Sequence, residues 1–254
     1  MLLSRVKQTL AALAGSALLV CSGGASADYG LNLPRGVTPI SKEAYDLHML
    51  IMWICVAIGV VVFGAIFISI LKHRKSKGAK PATFHESTTV EIIWTIVPFL
   101  ILIGMAIPAT KALVAMEDTS NADLSVKVTA YQWKWGYDYM DEGVSFISSL
   151  STPKEQILNQ QDKGEHYLLE VDNPLVVPVN KKVRLLLTAN DVIHSWWVPD
   201  LGMKKDAIPG FVNEMWFRAD EEGTYRGQCA ELCGKDHGFM PIVVVAKNEA
   251  DYQQ

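Results

Sequence analysis

The sequence predicts a two-helix transmembrane hairpin joined to an all-β barrel or sandwich. Two long apolar runs, Leu47–Leu71 and about Ile92 to Thr110, carry no charged residue and are separated by a basic loop. From Met116 onward the pattern changes to short stretches rich in Val, Ile, Tyr, Phe and Trp, divided by Gly, Asn, Asp and Pro, which is the signature of strands and turns. Composition agrees: of 254 residues, 50% are hydrophobic while 20% are still charged, so a water-soluble domain accompanies the apolar spans.

Met1 to Ala27 combines Arg5 and Lys7, the run L-A-A-L-A-G-S-A-L-L-V and the small-x-small triplet Ala25-Ser26-Ala27, and reads as a secretory signal peptide. Cleavage after Ala27 would remove Cys21; a lipid anchor on Cys21 is the other reading, with bulky Val20 against it. Residues 28–46 form an outer segment. Residues 47–71, about 37 Å long as a helix, exceed the roughly 30 Å hydrocarbon core and form the first span. His48 is placed at the interface, and Cys55 among packed apolar side chains.

The loop 72–90 carries Lys72, Arg74, Lys75, Lys77 and Lys80, which assigns it to the cytoplasm and both termini to the outside. The second span is placed at 91–114. Thr88 followed by Glu91 is a capping-box pattern, and Pro98 and Pro108 predict bends. The outer domain, 115–254, is expected to use as strands the stretches 125–139, 167–171, 182–188, 211–219, 224–228 and 241–246, with 141–165 as a loop excursion.

Charge divides along the same line. Of 27 acidic and 23 basic residues, 5 and 10 precede Met116, leaving 22 and 13 from there on. The outer domain is therefore acidic by 13 − 22 = −9, which suits a basic partner and argues against nucleic acid.

The chemistry concentrates in Cys229–Met240, C-A-E-L-C-G-K-D-H-G-F-M, which places two thiols, an imidazole and a thioether in one turn-rich loop. His194 lies 229 − 194 = 35 residues earlier in D-V-I-H-S-W-W-V-P. Thiolate, thioether and imidazole together lean towards copper. A Cys229–Cys233 disulfide and a zinc site with two Cys and two His are the alternatives that these residues leave open. Gly234 supplies an unusual backbone angle beside the second cysteine.

The blocks H-S-W-W-V-P-D-L-G-M-K-K-D-A-I-P-G (His194–Gly210), Y-R-G-Q-C-A-E-L-C-G-K-D-H-G-F-M-P (Tyr225–Pro241) and Y-Q-W-K-W-G-Y-D-Y (Tyr131–Tyr139) resemble subunit 2 of the haem–copper cytochrome c oxidases. The resemblance covers nearly the whole chain after the signal. It implies a cupredoxin-like outer domain with a binuclear copper centre, CuA. Cys229 and Cys233 would bridge two coppers, His194 and His237 would be terminal ligands, and Met240 and the Glu231 carbonyl would be weaker ones. The Glu231 carboxylate would bind a magnesium shared with subunit 1.

By the same resemblance Trp133 is an exposed ring that receives the electron of cytochrome c, and Asp172, Asp191 and Asp200 help to dock that basic donor. Asn190 stands where relatives often have an acid. Glu91 resembles the mouth of a proton channel into the catalytic subunit. The implied role is that of the subunit through which electrons enter, passing them to haem in subunit 1 for oxygen reduction coupled to proton pumping, with subunit 3 a further partner. The implied location is a bacterial inner membrane, with the CuA domain and both termini in the periplasm. Two other classes bear on the reading. A quinol oxidase subunit would lack these ligands, and a copper-delivery protein would need neither Met240 nor two spans. The haem-attachment pattern C-x-x-C-H is absent from the sequence.

Overall fold

The computed structural model describes residues 32–254; the expected signal peptide, Met1–Ala27, lies outside the described residues. Helix α1 (Pro39–Lys72) starts eight residues before the apolar run, because Thr38 caps it. The Thr38 hydroxyl accepts from the Ser41 N–H at 3.0 Å, the Ser41 hydroxyl accepts from the Thr38 N–H at 3.0 Å, and Pro39 takes the first helical position. Ser87 occupies the N-cap position of helix α2 (Thr88–Glu117) without a side-chain capping bond, so Thr88 is already inside the helix and the expected Thr88–Glu91 capping box does not form. Only the return half survives: Glu91 Oε1 accepts from the Ser87 N–H at 3.4 Å.

Both helices are long and apolar enough to cross a membrane, and most of their side chains are exposed in the isolated chain. Cys55, expected among packed apolar side chains, is exposed in the isolated chain, as are most side chains of this apolar helix. Pro98 and Pro108 both lie inside α2.

Ten strands follow: β1 (Leu124–Tyr131), β2 (Lys134–Tyr139), β3 (Val144–Ser148), β4 (Leu175–Pro178), β5 (Val183–Ala189), β6 (His194–Val198), β7 (Met203–Ala207), β8 (Asn213–Phe217), β9 (Gly223–Cys229) and β10 (Pro241–Lys247). They form two five-stranded sheets, ordered β3-β2-β1-β5-β8 and β4-β10-β9-β6-β7. The β1/β5 and β4/β10 pairs are parallel and the others antiparallel. Alternation is strict in β5, where Val183, Leu185, Leu187 and Ala189 are buried and the residues between them are not, while β6 and β10 are buried on consecutive residues. Trp135, Trp196, Phe217, Met215 and Leu185 fill the space between the sheets, with Trp196 stacked on Phe217 at 6.2 Å. Full burial of a large apolar side chain contributes roughly 1.5–3 kcal/mol.

Three strand expectations change. The run 125–139 is a hairpin, because the chain turns at Gln132 and Trp133 and the two halves pair from Tyr131↔Lys134 to Val126↔Tyr139. The segment 167–171 is not a strand: Leu168 takes a positive φ of 61°, and Val171 makes only an isolated bridge to Leu150. The excursion 141–165 contains β3 and one helical turn, Lys154–Ile157. β4, flanked by prolines, was not expected; it tolerates them at a sheet edge.

Candidate metal centre

Three strands of one sheet deliver the candidate ligands to one end of the sandwich. Cys229 is the last residue of β9, His194 the first of β6, and Met240 immediately precedes β10. The pairing Trp196↔Cys229 sets the register that brings His194 beside the loop 230–240. Within that loop Gly234 has φ 117°, and a Cβ there would stand 3.1 Å from both Gln132 Nε2 and Trp133 Cζ2. Glycine is favoured there by the backbone angle, and the space beside it is tight.

Sulfur and nitrogen donors converge. Cys229 Sγ lies 3.8 Å from Cys233 Sγ and 3.9 Å from His194 Nδ1. Cys233 Sγ lies 3.5 Å from His237 Nδ1 and 3.6 Å from Met240 Sδ, and the Glu231 carbonyl is 3.3 Å from Cys229 Sγ. His194, Cys229 and Cys233 form a buried group whose ligand atoms all fall within 4.8 Å of one another. Two donors sharing one tetrahedral ion at bond lengths near 2.0–2.3 Å stand about 3.3–3.8 Å apart, so these separations suit a set of donors that could share metal ions. A disulfide requires about 2.05 Å between sulfurs; at 3.8 Å the pair is free thiols.

Electrostatics prepares one sulfur before the other. Burial pushes the Cys229 thiol up, but His194 and the backbone around Ser195 and Glu231 outweigh it and bring it below the ordinary thiol value. Burial and the neighbouring Cys229 charge together hold Cys233 above it. His194 is fully buried, and its Nε2 donates to Asp191 Oδ1 at 2.9 Å, leaving Nδ1 to face the sulfur. Burial disfavours the charged imidazole, yet the Cys229 sulfur and the Asp191 carboxylate raise its pKa.

The structure distributes the remaining residues unevenly. Trp133, expected to present an exposed ring, is half-buried against the core, and its Nε1 donates to the Cys233 carbonyl at 3.2 Å. Asp191 has a structural role besides its charge, accepting from the backbone N–H groups of Gln132 and Val192, both at 2.7 Å, as well as from His194. Asp172 is exposed and accepts from the N–H groups of Ser149 and Asn173. Asp200 lies past the opposite end of β6 from His194, in a 3-10 turn, Pro199–Leu201, away from the sulfurs.

Glu231 is exposed; it lines a polar hollow of about 390 Å³ with Ser195, Lys204, Asp206 and Asn213. Ser195 Oγ is buried there without a hydrogen-bond partner among the described residues. Glu91 is exposed in the first turn of α2. Sequence reasoning missed Gln132, whose Nε2 donates to the Cys233 carbonyl at 2.9 Å; it adjoins Trp133, but no motif marks a glutamine.

Fold and site define a membrane-anchored β-sandwich with a soft-donor metal-binding set at one end. The model "Cytochrome C oxidase subunit II, periplasmic domain" matches residues 124–247, and "Cytochrome C oxidase subunit II, transmembrane domain" matches residues 26–112. The "Probable cytochrome c oxidase subunit 2" of Rickettsia bellii is 41% identical over 215 residues, covering 85% of this chain and 78% of that one. The "Cytochrome c oxidase subunit 2" of Cereibacter sphaeroides is 37% identical over 236 residues, covering 88% and 78%. Among solved structures, the periplasmic domain of subunit II of cytochrome oxidase (CoxB) of Bradyrhizobium japonicum is 43% identical, covers 53% of this chain and 91% of that one, and gives a TM-score of 0.48.

The chain belongs to the cytochrome c oxidase subunit 2 family. It is a membrane protein and the subunit through which electrons enter a haem–copper oxidase, an oxidoreductase complex.

Proposed function

We propose that the chain accepts electrons from cytochrome c at a CuA centre held by Cys229, Cys233, His194, His237, Met240 and the Glu231 carbonyl, and passes them to haem in subunit 1. The observation that carries this reading is the spacing of four further donors about two free thiols 3.8 Å apart. When bound, a binuclear copper centre would supply a one-electron store shared between two ions. The chain's part is to keep those donors in place. Asp191 fixes the ring of His194, and Gln132 and Trp133 fix the carbonyl of Cys233. A constellation held by packing and hydrogen bonds rearranges little when its charge changes.

Trp133, wired to the Cys233 carbonyl at the rim of the loop, receives the electron. Asp172 and Asp191 flank that end and attract a basic donor, with Asp200 contributing only at longer range. The exposed Glu231 carboxylate binds magnesium shared with subunit 1, on the side away from the sulfurs. Glu91, in the first turn of α2 beside the basic loop, opens the proton path into subunit 1. The domain boundaries are 1–27, 28–46, 47–71, 72–90, 91–114 and 115–254, with the signal removed in a bacterial inner membrane, the basic loop in the cytoplasm and the CuA domain in the periplasm.

Copper content decides the reading. The full chain, purified in detergent and loaded with copper, should hold two coppers per chain with the purple spectrum of a valence-delocalised pair. One copper per chain, or preference for colourless zinc, would overturn it.

A further inference from the structure

A domain that sits on one covalent tether can pivot. Here the β-sandwich follows α2 through Asp118–Asp123, and the pins at that junction come largely from long side chains: Lys205 to Glu117 at 2.9 Å, Lys182 to the carbonyls of Asp118 and Ser120 at 2.7 Å, and Trp216 Nε1 to the Ala115 carbonyl at 3.1 Å. Such exposed contacts exchange partners readily and fix orientation weakly.

The start of α1 makes a second attachment of different character. Val37 N–H donates to the Asp200 carbonyl at 2.9 Å, and the Val37 carbonyl accepts from the Asp220 N–H at 2.8 Å. The Thr38 hydroxyl donates to the Leu201 carbonyl at 2.9 Å while accepting from the Ser41 N–H. Thr38 is 0% exposed and Ser41 4%. Gly202 closes the joint. Its φ is +76°, and a Cβ there would stand 2.6 Å from Ser41 Cα and 2.8 Å from Ser41 N. Backbone meets backbone, so no rotamer change could relieve that contact. Buried hydrogen bonds specify one arrangement where an apolar contact would allow sliding.

The same turn is continuous with β6, whose other end is His194. The joint and a metal-binding imidazole are therefore the two ends of one short strand of five residues, about 16 Å long. A shift at Gly202 is carried to the donor end with little loss, because β6 is hydrogen-bonded on both sides, to β7 and β9.

We propose that Thr38, Ser41 and Gly202 are positioning residues for electron passage, setting where the metal-binding end stands relative to the electron acceptor in the membrane partner. The proposal rests on the copper reading above. Electron passage between fixed centres falls steeply with distance, so a joint that holds the domain in one place controls the outgoing step. It has no bearing on the incoming one, which depends on a mobile donor.

The test uses the assembled oxidase in membranes, with three readouts: the copper spectrum, the rate at which cytochrome c reduces the site, and the rate at which the site is reoxidised inside the complex. Thr38→Val, which removes the hydroxyl but keeps the shape, and Gly202→Ala should slow reoxidation by about tenfold, within the roughly 10²-fold that a 1 Å misplacement can cost. Spectrum and reduction rate should stay unchanged, and Thr38→Ser, which keeps the hydroxyl, should keep wild-type reoxidation. Unchanged reoxidation in Thr38→Val would overturn the proposal, as would equal slowing of both rates. If Gly202→Ala does not assemble, Thr38→Val decides alone. A wild-type complex without the copper spectrum would remove the reading beneath the proposal, a failure visible before any variant is made.

Discussion

Asp191 Oδ1 accepts from His194 Nε2 at 2.9 Å, and the carboxylate is itself held by the N–H groups of Gln132 and Val192. One acid thus ties the β1–β2 turn to the first residue of β6, and it selects the imidazole tautomer whose Nδ1 faces Cys229. A partner of this kind outside the ligand set is worth about 10–100-fold in metal affinity. Asp191→Ala should lose copper by that factor in a competition titration against a chelator. If docking were the residue's sole role, affinity would not move and only the salt dependence of donor binding would change.

Trp133→Ala should slow reduction by cytochrome c about tenfold, or about 1.4 kcal/mol of barrier, with the copper spectrum intact. Trp133→Phe keeps a ring and loses the bond to the Cys233 carbonyl. Stopped-flow reduction of the pair separates the ring from its hydrogen bond, and wild-type rates in both variants would dismiss Trp133 as the point where electrons enter.

Met240 is 1% exposed, so it is a core side chain as well as a sulfur donor. Met240→Leu conserves volume and should cost less than about 1.5 kcal/mol in domain stability while shifting the reduction potential of the bound copper. Calorimetry and a redox titration on one sample check both. An unmoved potential would reduce Met240 to packing.

At the α2 junction Glu214 accepts from Arg184 Nη2 at 2.7 Å and Nε at 3.0 Å and from the Thr119 hydroxyl, and these contacts, Arg184 first, lower its pKa from 4.5. A carboxylate depressed in the folded state contributes stability that is present above its unfolded pKa and lost as pH falls through the folded value. Glu214→Gln should therefore lower the unfolding midpoint modestly at neutral pH, by under about 1 kcal/mol for so exposed a pair, and flatten its fall below about pH 4.5. An unchanged slope would show that the pair is spectator charge.

The two spans and the thiol loop were legible because each is local: an uncharged run of apolar residues, and a soft-donor set within twelve positions. Stretches of β-prone residues between turn formers likewise exposed β1, β2, β5, β8, β9 and β10. That signal failed at Gln132–Trp133, where apolar and aromatic residues continue through a tight turn and give no composition signal. β3, β4, β6 and β7 were missed: β3 lies in the stretch read as a loop excursion, β4 is only four residues and ends on Pro178, β6 sits inside the segment read for His194, and β7, M-K-K-D-A, is polar along its middle. The capping box expected from Thr88 and Glu91 at the second helix did not form, whereas the first helix has one, Thr38 with Ser41, that no reading of the sequence singled out and that the sandwich buries. Asp191 looked like surface charge because its partners lie at positions 132 and 194, which only the fold brings together.

Gln132 and Trp133 both donate to one carbonyl, that of Cys233, across a separation of about a hundred residues and from the opposite sheet. The two layers of the sandwich are stitched at this point, and the stitch lies over sulfurs that are only 6% and 3% exposed. A fault in it would do more than loosen a turn. It would admit oxidants to a pair of thiols 3.8 Å apart, close enough to be joined as a disulfide after a small movement and then lost as ligands. The two hydrogen bonds that join the layers thus also close the sandwich beside its two buried free thiols.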